Sequence, residues 1–157
     1  MEPHLLISSD LAAFLESGLP ITVATRDGEL EPDGAWAWGA RVHEDRRHLT
    51  VYLRSESAAP LLGDLESHPE IAMVFDRPAD HRACQVKGRF LSSRKARTNE
   101  RAALDEQVEG VRRQLVAIGI PQAMTEAWRW WPCLAFEIEV THLFEQTPGP
   151  GAGEPLR

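Results

Sequence analysis

The chain has 157 residues, a formal net charge of -7, 43% hydrophobic and 26% charged residues. This length and composition are typical of one globular domain with a sizeable core. The acidic balance argues against a protein that wraps nucleic acid, because the positive surface that binds phosphates is missing. Its two cysteines, Cys84 and Cys133, are too few for a disulfide framework, and neither sits in a C-x-x-C pair.

The first predicted element is a short helix over residues 8–18, which Ser9 or Asp10 can cap and Gly18 ends. The segment before and through it carries acids and lacks a basic region followed by a long apolar stretch. It therefore predicts neither a secretory signal nor a membrane span, and we expect a cytoplasmic protein with no membrane partner. The β-branched run 21–25 predicts the first strand.

After a loop that contains Pro32, residues 35–43 and 48–54 predict a hairpin. By simple alternation, Ala35, Ala37 and Gly39 share a face of the first strand with Arg41. A face of small residues next to a guanidinium would let a flat ligand approach the backbone. Small residues also accommodate a crossing strand or a dimer partner, so both interpretations remain open.

The second helix is predicted over residues 57–69, with Ser57 as its N-cap. A helix start presents free backbone N–H groups and a partial positive charge, and so favours a phosphate. Arg54 and the hydroxyls of Ser55 and Ser57 would add donors there. An ordinary N-cap explains the serines equally well.

Two further strands follow, the apolar run 71–75 and the alternating segment 82–90. In the second, Cys84 and Val86 fall on one face, and Gln85 and Lys87 on the other. The polar face either meets solvent or meets an anion, with Gln85 able to hydrogen-bond the edge of a heterocycle.

The basic run 92–98 predicts a solvated loop, and the apolar spacing over 99–118 predicts the longest helix. Residues 134–140 alternate as a last strand, and the Pro- and Gly-rich residues 147–157 predict an irregular tail. Between them lies a tryptophan cluster that would either cover a ligand or belong to the core or an oligomer interface; its members are Trp128, Trp130 and Trp131.

Strands joined by short hairpins, with helices inserted between them, favour a mainly β fold of the α+β class. We expect an antiparallel barrel with flanking helices, in a single domain over residues 1–146 followed by the tail 147–157. The six histidines show no paired spacing typical of a metal site, and no Ser/His/Asp or Cys/His arrangement can be assembled.

The order of these elements resembles the pyridoxamine 5'-phosphate oxidase-like family of FMN-binding split barrels. Arg41 sits where the family has a basic strand residue, and Tyr52-Leu53 where it has Tyr-Thr. The segment 57–59 stands in the place of Ser-Arg-Lys, and "QVKG" closes the basic strand. Two departures are the replacement of Arg-Lys by Ala58-Ala59 and a tryptophan, Trp36, where family oxidases carry an arginine.

The resemblance implies a homodimeric flavoprotein that holds FMN and acts as an oxidoreductase on a small molecule. Because the C-terminal region is a Pro/Gly tail, we do not expect pyridoxamine phosphate as the substrate. A flavin-free binding or sensing dimer, or one that uses F420 or haem, is the alternative that Ala58-Ala59 favours. The residues expected to bind the cofactor are Arg41, Tyr52, Leu53, Arg54, Ser55, Ser57, Gln85 and Lys87.

Overall fold

The structure is a computed structural model that describes residues 6–156. Residues 1–5, which include His4, and Arg157 at the end of the predicted tail lie outside this range. Within the described residues the chain forms six strands and three α-helices. In chain order these are α1 Ser9–Leu15, β1 Ile21–Arg26, β2 Pro32–Val42, β3 His48–Arg54, α2 Ser55–Ser67, β4 Glu70–Asp76, β5 Ala83–Lys95, α3 Arg101–Ala117 and β6 Cys133–Glu145.

The strands close into an antiparallel barrel in the order β1-β2-β3-β6-β5-β4. This confirms the predicted mainly β barrel with flanking helices. Alternate side chains of every strand point inward and fill the barrel with apolar groups, which is what stabilises a closed sheet of this size. The most completely buried of them include Ile21, Val23, Leu49, Val51, Leu53, Met73, Phe75, Val86, Phe136 and Ile138.

The helices serve different parts of the barrel. The buried face of α2, with Ala58, Leu61 and Leu65, packs into the barrel core. In contrast, α3 packs on the outside of the wall, where Leu104 joins a separate apolar cluster with Tyr52. The outer surface of β2 and β3 is therefore covered, and this covered surface positions the site described below.

Two helix starts differ from the sequence-based expectation. Ser8, rather than Ser9 or Asp10, caps α1, because its Oγ accepts the N–H of Leu11 at 3.1 Å. The second helix begins at Ser55 with Arg54 in the N-cap position and no side-chain cap hydrogen bond. Ser57 therefore lies within the first turn of α2, and its predicted role as N-cap is wrong.

The basic segment 92–98 is not a solvated loop. Its first half continues β5 as far as Lys95 and pairs with β6, where Arg94 lies opposite Ala135. Carboxylates far along the chain neutralise Arg94, namely Glu100 at 2.7 Å and Glu137 at 3.4 Å. A local run of basic residues cannot reveal such partners, which explains the wrong prediction.

A β-bulge between Ala37 and Gly39 overturns the predicted sharing of one face in β2. Before the bulge, Ala37 lies opposite Leu53 and belongs to the core; after it, Ala40 lies opposite Val51 and also belongs to the core. The extra residue shifts the alternation by one position. Arg41 therefore points to the outside of the barrel, and the small residues Ala35 and Ala37 do not share its face.

The C-terminal residues fold back along β6 beyond the point where β3 ends. Pro155 forms a bridge to Phe144, and the N–H of Leu156 donates to the carbonyl of Leu143 at 2.9 Å. Thr147 anchors the start of this segment, since its Oγ1 accepts the N–H of Ala83 at 3.1 Å. The tail thus covers part of an edge of β6 that would otherwise be unpaired.

Candidate ligand-binding cavity

A cavity of about 570 Å³ lies outside the barrel wall, between β2, β3, the end of α1 and one face of α3. Its volume is within the range of cofactor and small-molecule sites in proteins. The residues that line it are Glu16, Ser17, Ala40, Arg41, Tyr52, Asn99, Glu100, Ala103, Leu104, Glu106, Gln107 and Arg113.

Gly39 allows α3 to approach the wall closely enough to form this cavity. A Cβ atom at Gly39 would lie 2.6 Å from Leu104 Cδ1 and 3.0 Å from Gln107 Oε1. Both contacts are closer than real Cβ contacts, so a larger residue would push the helix or its side chains away. The glycine thus sets the distance between α3 and the strand that carries Arg41.

Two side chains complete the edge of β2 where its neighbour β1 has ended. The amide of Gln107 accepts the N–H of Ala40 at 2.9 Å and donates to the carbonyl of the same residue at 2.8 Å. Glu16 Oε1 accepts the N–H of Val42 at 2.7 Å. These bonds satisfy backbone groups that a strand would otherwise pair. They fix the backbone on both sides of Arg41.

Arg41 is exposed, and it lines both the cavity and a shallower depression formed with His43, Glu44 and Asp45. Within residues 6–156, no carboxylate lies within ion-pair distance of its guanidinium, and it makes no side-chain hydrogen bond. A free guanidinium at a cavity wall is suited to binding phosphate or carboxylate groups.

At one end of the cavity, Tyr52, Glu100 and Arg94 form a hydrogen-bonded group. Tyr52 Oη donates to Glu100 Oε1 at 2.9 Å, and Arg94 donates to both Glu100 oxygens at 2.8 and 2.7 Å. The hydrogen bonds from Arg94 are the main reason that the pKa of Glu100 falls to about 2. Burial, followed by the adjacent Glu100, raises the pKa of Tyr52 to about 12. Tyr52 is therefore a neutral hydrogen-bonding group at physiological pH.

The same network continues along the outer wall to Glu137. Thr50 Oγ1 donates to Glu137 Oε2 at 2.8 Å, while His43 Nε2 lies 2.8 Å from that hydroxyl and 3.1 Å from the carboxylate. Arg94 therefore lies between two carboxylates, Glu100 and Glu137. A group of this kind holds the turn before α3 firmly on the barrel.

The predicted site residues of β2, β3 and α2 fall into three environments. Arg41 and Tyr52 line the cavity together. Leu53 is fully buried in the barrel interior, so its side chain does not reach the surface. The others lie at the start of α2, where Arg54 pairs with Glu56 at 2.9 Å, Ser55 Oγ donates to the carbonyl of Pro132 at 3.1 Å, and Ser57 is exposed.

Gln85 and Lys87 lie on the outer face of β5, as alternation predicted, but far from the cavity. Gln85 pairs with Phe144 of β6, whereas Tyr52 pairs with Ala135 of the same strand. These two positions are separated by roughly 30 Å of extended chain. Within one chain, Gln85 and Lys87 therefore do not share a site with Arg41.

Sequence reasoning missed the residues that build the cavity wall, namely Glu16, Arg94, Glu100 and Gln107. The only usable signal was the position of Glu100 and Gln107 at the start of the predicted longest helix, which did not indicate what that helix covers. Their partners lie 48 and 67 positions away in the chain.

The tryptophan cluster lies beside the cavity and does not line it. The ring of Trp38 packs against those of Trp128 and Trp130, with centroids 5.3 and 6.3 Å apart. The Arg112 guanidinium lies 5.1 Å from the centroid of Trp130. Trp131 is half-buried beside the same outer-wall cluster. The cluster is thus mainly a packing element that attaches residues 122–131 to the barrel.

Both cysteines are buried and unpaired, and burial raises the pKa of Cys84 to about 11 and that of Cys133 to about 12. Over residues 6–156, no group of three or more His, Cys, Asp or Glu side chains is arranged to hold a metal ion. No helix in that range has the length and apolar character needed to cross a bilayer.

Comparisons with known proteins give likenesses at the level of the fold. No protein-family model and no curated protein matches the chain. An F420 reductase is 15% identical with a TM-score of 0.57, covering 83% of this chain and 93% of that chain. HupZ of Group A Streptococcus is 14% identical with a TM-score of 0.56, covering 94% and 100%.

A third solved structure, a putative pyridoxamine 5'-phosphate oxidase from Lactobacillus delbrueckii, is 11% identical with a TM-score of 0.54. It covers 92% of this chain and 97% of its own. At these identities the likeness shows shared architecture and does not transfer ligands or activities. The chain therefore has the split-barrel fold that its sequence resemblance implied, the fold of pyridoxamine 5'-phosphate oxidase-like proteins.

Proposed function

We propose that the chain binds FMN and acts as a flavin-dependent oxidoreductase on a small molecule. The observation that carries this proposal is the free Arg41 guanidinium on the wall of a cavity of about 570 Å³. In a chain of net charge -7, an arginine without a described carboxylate partner is a distinct feature. It is the group best suited to hold the phosphate of the cofactor.

The residues of the cavity fit such a ligand. Arg41 would hold the phosphate, while Gln107 and Glu16 fix the strand on either side of it. Tyr52 and Leu104 give the cavity a nearly buried, partly apolar wall that excludes water from a planar ring. When bound, the flavin would supply the electron-transfer chemistry, and the chain would supply binding and orientation.

We propose further that the protein is a homodimer and that Gln85 and Lys87 reach the cofactor only from the second copy. Support comes from the outer face of the sheet, where one row of paired residues crosses five strands. That row runs through Trp36, Thr22, Val74, Gln85 and Phe144. Trp36, at its end, is a large exposed apolar side chain of a kind enriched in interfaces.

At the start of α2, Arg54, Ser55 and Ser57 would then serve as additional polar contacts at the rim of the site. A cytoplasmic location is part of this proposal. It is supported by two cysteines that are unpaired and buried, as is usual in a reducing compartment.

The alternative function is a flavin-free dimeric binding or sensing module, or one that uses F420 or haem. The observation in its favour is the start of α2, where Ala58 is fully buried and Arg54 is already paired with Glu56. No additional free cation from that segment therefore supports Arg41. The likeness to an F420 reductase keeps a deazaflavin in consideration as the occupant.

Titration of the purified protein with FMN tests the proposal. We expect saturable binding, and we expect Arg41→Gln to weaken it about 30-fold, as for the loss of a charge-assisted hydrogen bond of about 2 kcal/mol. Arg47→Gln, an exposed arginine on the neighbouring hairpin turn, is the matched control and should leave the affinity unchanged. Protein that takes up no FMN would reject the proposal and favour the flavin-free module.

The dimer is tested in the same samples by sedimentation. Val74→Arg on the uncovered face should halve the molecular mass and weaken FMN binding, whereas Val116→Arg on exposed α3 should do neither. A wild-type chain that sediments as a monomer with FMN bound would contradict the shared site.

A further inference from the structure

The charged residues that line the cavity divide into engaged and free groups. Glu100 is neutralised by Arg94, and Glu16 accepts a backbone N–H of β2. The remaining ones are Arg41, Glu106 and Arg113, and none of these three has an ion-pair partner within residues 6–156. The free charge of the cavity is therefore positive, although the chain as a whole is acidic.

The two free arginines stand at different points along the cavity. Gln107 is hydrogen-bonded to the backbone of Ala40 and so places its helical turn beside Arg41. Arg113 follows six residues later on the same helix, which corresponds to about 9 Å along the axis. Two guanidinium groups separated in this way do not converge on one phosphate.

The cavity also continues beyond Arg113. That residue lines an adjoining depression together with Ser17, Gly110 and Gln114. The Oε1 atom of Gln114 is buried and has no hydrogen-bond partner among the described residues. An unsatisfied buried acceptor is costly, so a ligand donor that reached it would gain a favourable hydrogen bond.

From these observations we infer that the ligand is elongated and carries two acidic groups on the order of 10 Å apart. One binds Arg41 and the other binds Arg113. Exposed Glu106 and Gln114 Oε1 accept hydrogen bonds from N–H or O–H groups of the ligand. This inference rests on the proposed function, because it places the ring of the ligand in the same cavity, and it narrows the ligand class to ring compounds with a tail that bears a second acid.

FMN and F420 are suitable probes, because FMN has one acidic group whereas the tail of F420 has a phosphate and further carboxylates. We expect wild-type protein to bind F420 more tightly than FMN. Arg113→Gln should weaken F420 binding about tenfold and FMN binding less than twofold. Arg41→Gln should weaken both at least tenfold, and Arg101→Gln, an exposed arginine on α3 paired with Asp105, should weaken neither.

The outcomes separate this inference from the proposed function. If Arg113→Gln leaves F420 affinity unchanged, or if F420 binds no more tightly than FMN, the second acidic group is rejected while an Arg41-dependent FMN site stands. If Arg41→Gln changes neither affinity, both are rejected. Far-UV circular dichroism of each variant establishes that a lost affinity does not reflect a lost fold.

Discussion

The outer surface of the barrel presents two regions that differ in how their polar side chains are held. Around the cavity, Glu100 bonds Arg94 and Tyr52, and Gln107 bonds the backbone of β2. On the uncovered face, the side chains of Gln85 and Lys87 make no hydrogen bond or ion pair within the described residues. Polar groups on the covered side are structural as well as functional, whereas those on the open face are available for a partner.

The cause of the difference is the helix α3. Packing of Leu104 onto the wall removes Tyr52 and Thr50 from water, so their polar groups must find partners within the protein. No helix covers the row from Thr22 to Gln85, and there water remains available to satisfy polar side chains. Variants on the two sides should therefore differ strongly in their effect on stability.

The largest effect is expected for Glu100→Gln. This change leaves the mostly buried Arg94 without its bidentate partner, and removing one member of such a pair costs about 3 kcal/mol in the free energy of unfolding. Urea unfolding at pH 7 measures it. Glu106→Gln, an exposed carboxylate with no described ion-pair partner on the same helix, should change the free energy by less than about 0.5 kcal/mol. Equal effects would show that the network does not stabilise this region.

The pH dependence sharpens the same point. Arg94 lowers the pKa of Glu100 to about 2 from its ordinary value of 4.5. A carboxyl whose pKa is lower in the folded state stabilises the protein above pH 4.5 and loses this contribution as the pH falls towards 2. The difference in stability between wild type and Glu100→Gln, about 3 kcal/mol at pH 7, should therefore disappear by about pH 2. A difference that persists at low pH would contradict the assignment.

The smallest effect is expected on the open face, for Lys87→Gln. The Lys87 ammonium lies 5.3 Å from the centroid of the Phe144 ring and has no described ion-pair partner. An exposed contact of this kind contributes about 0.5 kcal/mol or less. The urea midpoint of the variant should match that of wild type at a protein concentration where both have the same mass. A loss above about 1 kcal/mol would remove the contrast between the two regions.

The sequence predicted the architecture well because local alternation determines it. The segment around Cys84 and Gln85 shows this, since its inward and outward residues follow a strict period of two. Hairpin turns and helix positions were likewise visible from turn residues and apolar spacing. These signals concern neighbours in the chain, and the barrel is built largely from such neighbours.

The candidate site was only partly predictable, because long-range contacts build it. Arg41 and Tyr52 were identified from their places in the strands, and they do line one cavity. Nothing in the local sequence around Arg94 or Gln107 indicates that their partners are Glu137 and Ala40. The expected cluster with Gln85 and Lys87 does not form within one chain, because position along β6 depends on register rather than on alternation.

The irregularity between Ala37 and Gly39 has a consequence for how this protein tolerates changes in length. Removing one amino acid there, such as Trp38, would restore an unbroken zigzag and turn every later member of the strand over. The methyl group of Ala40 would then face water, and the cation of Arg41 would be forced into hydrocarbon. A deletion of three nucleotides in the coding region would thus be far more damaging than most substitutions at the same place.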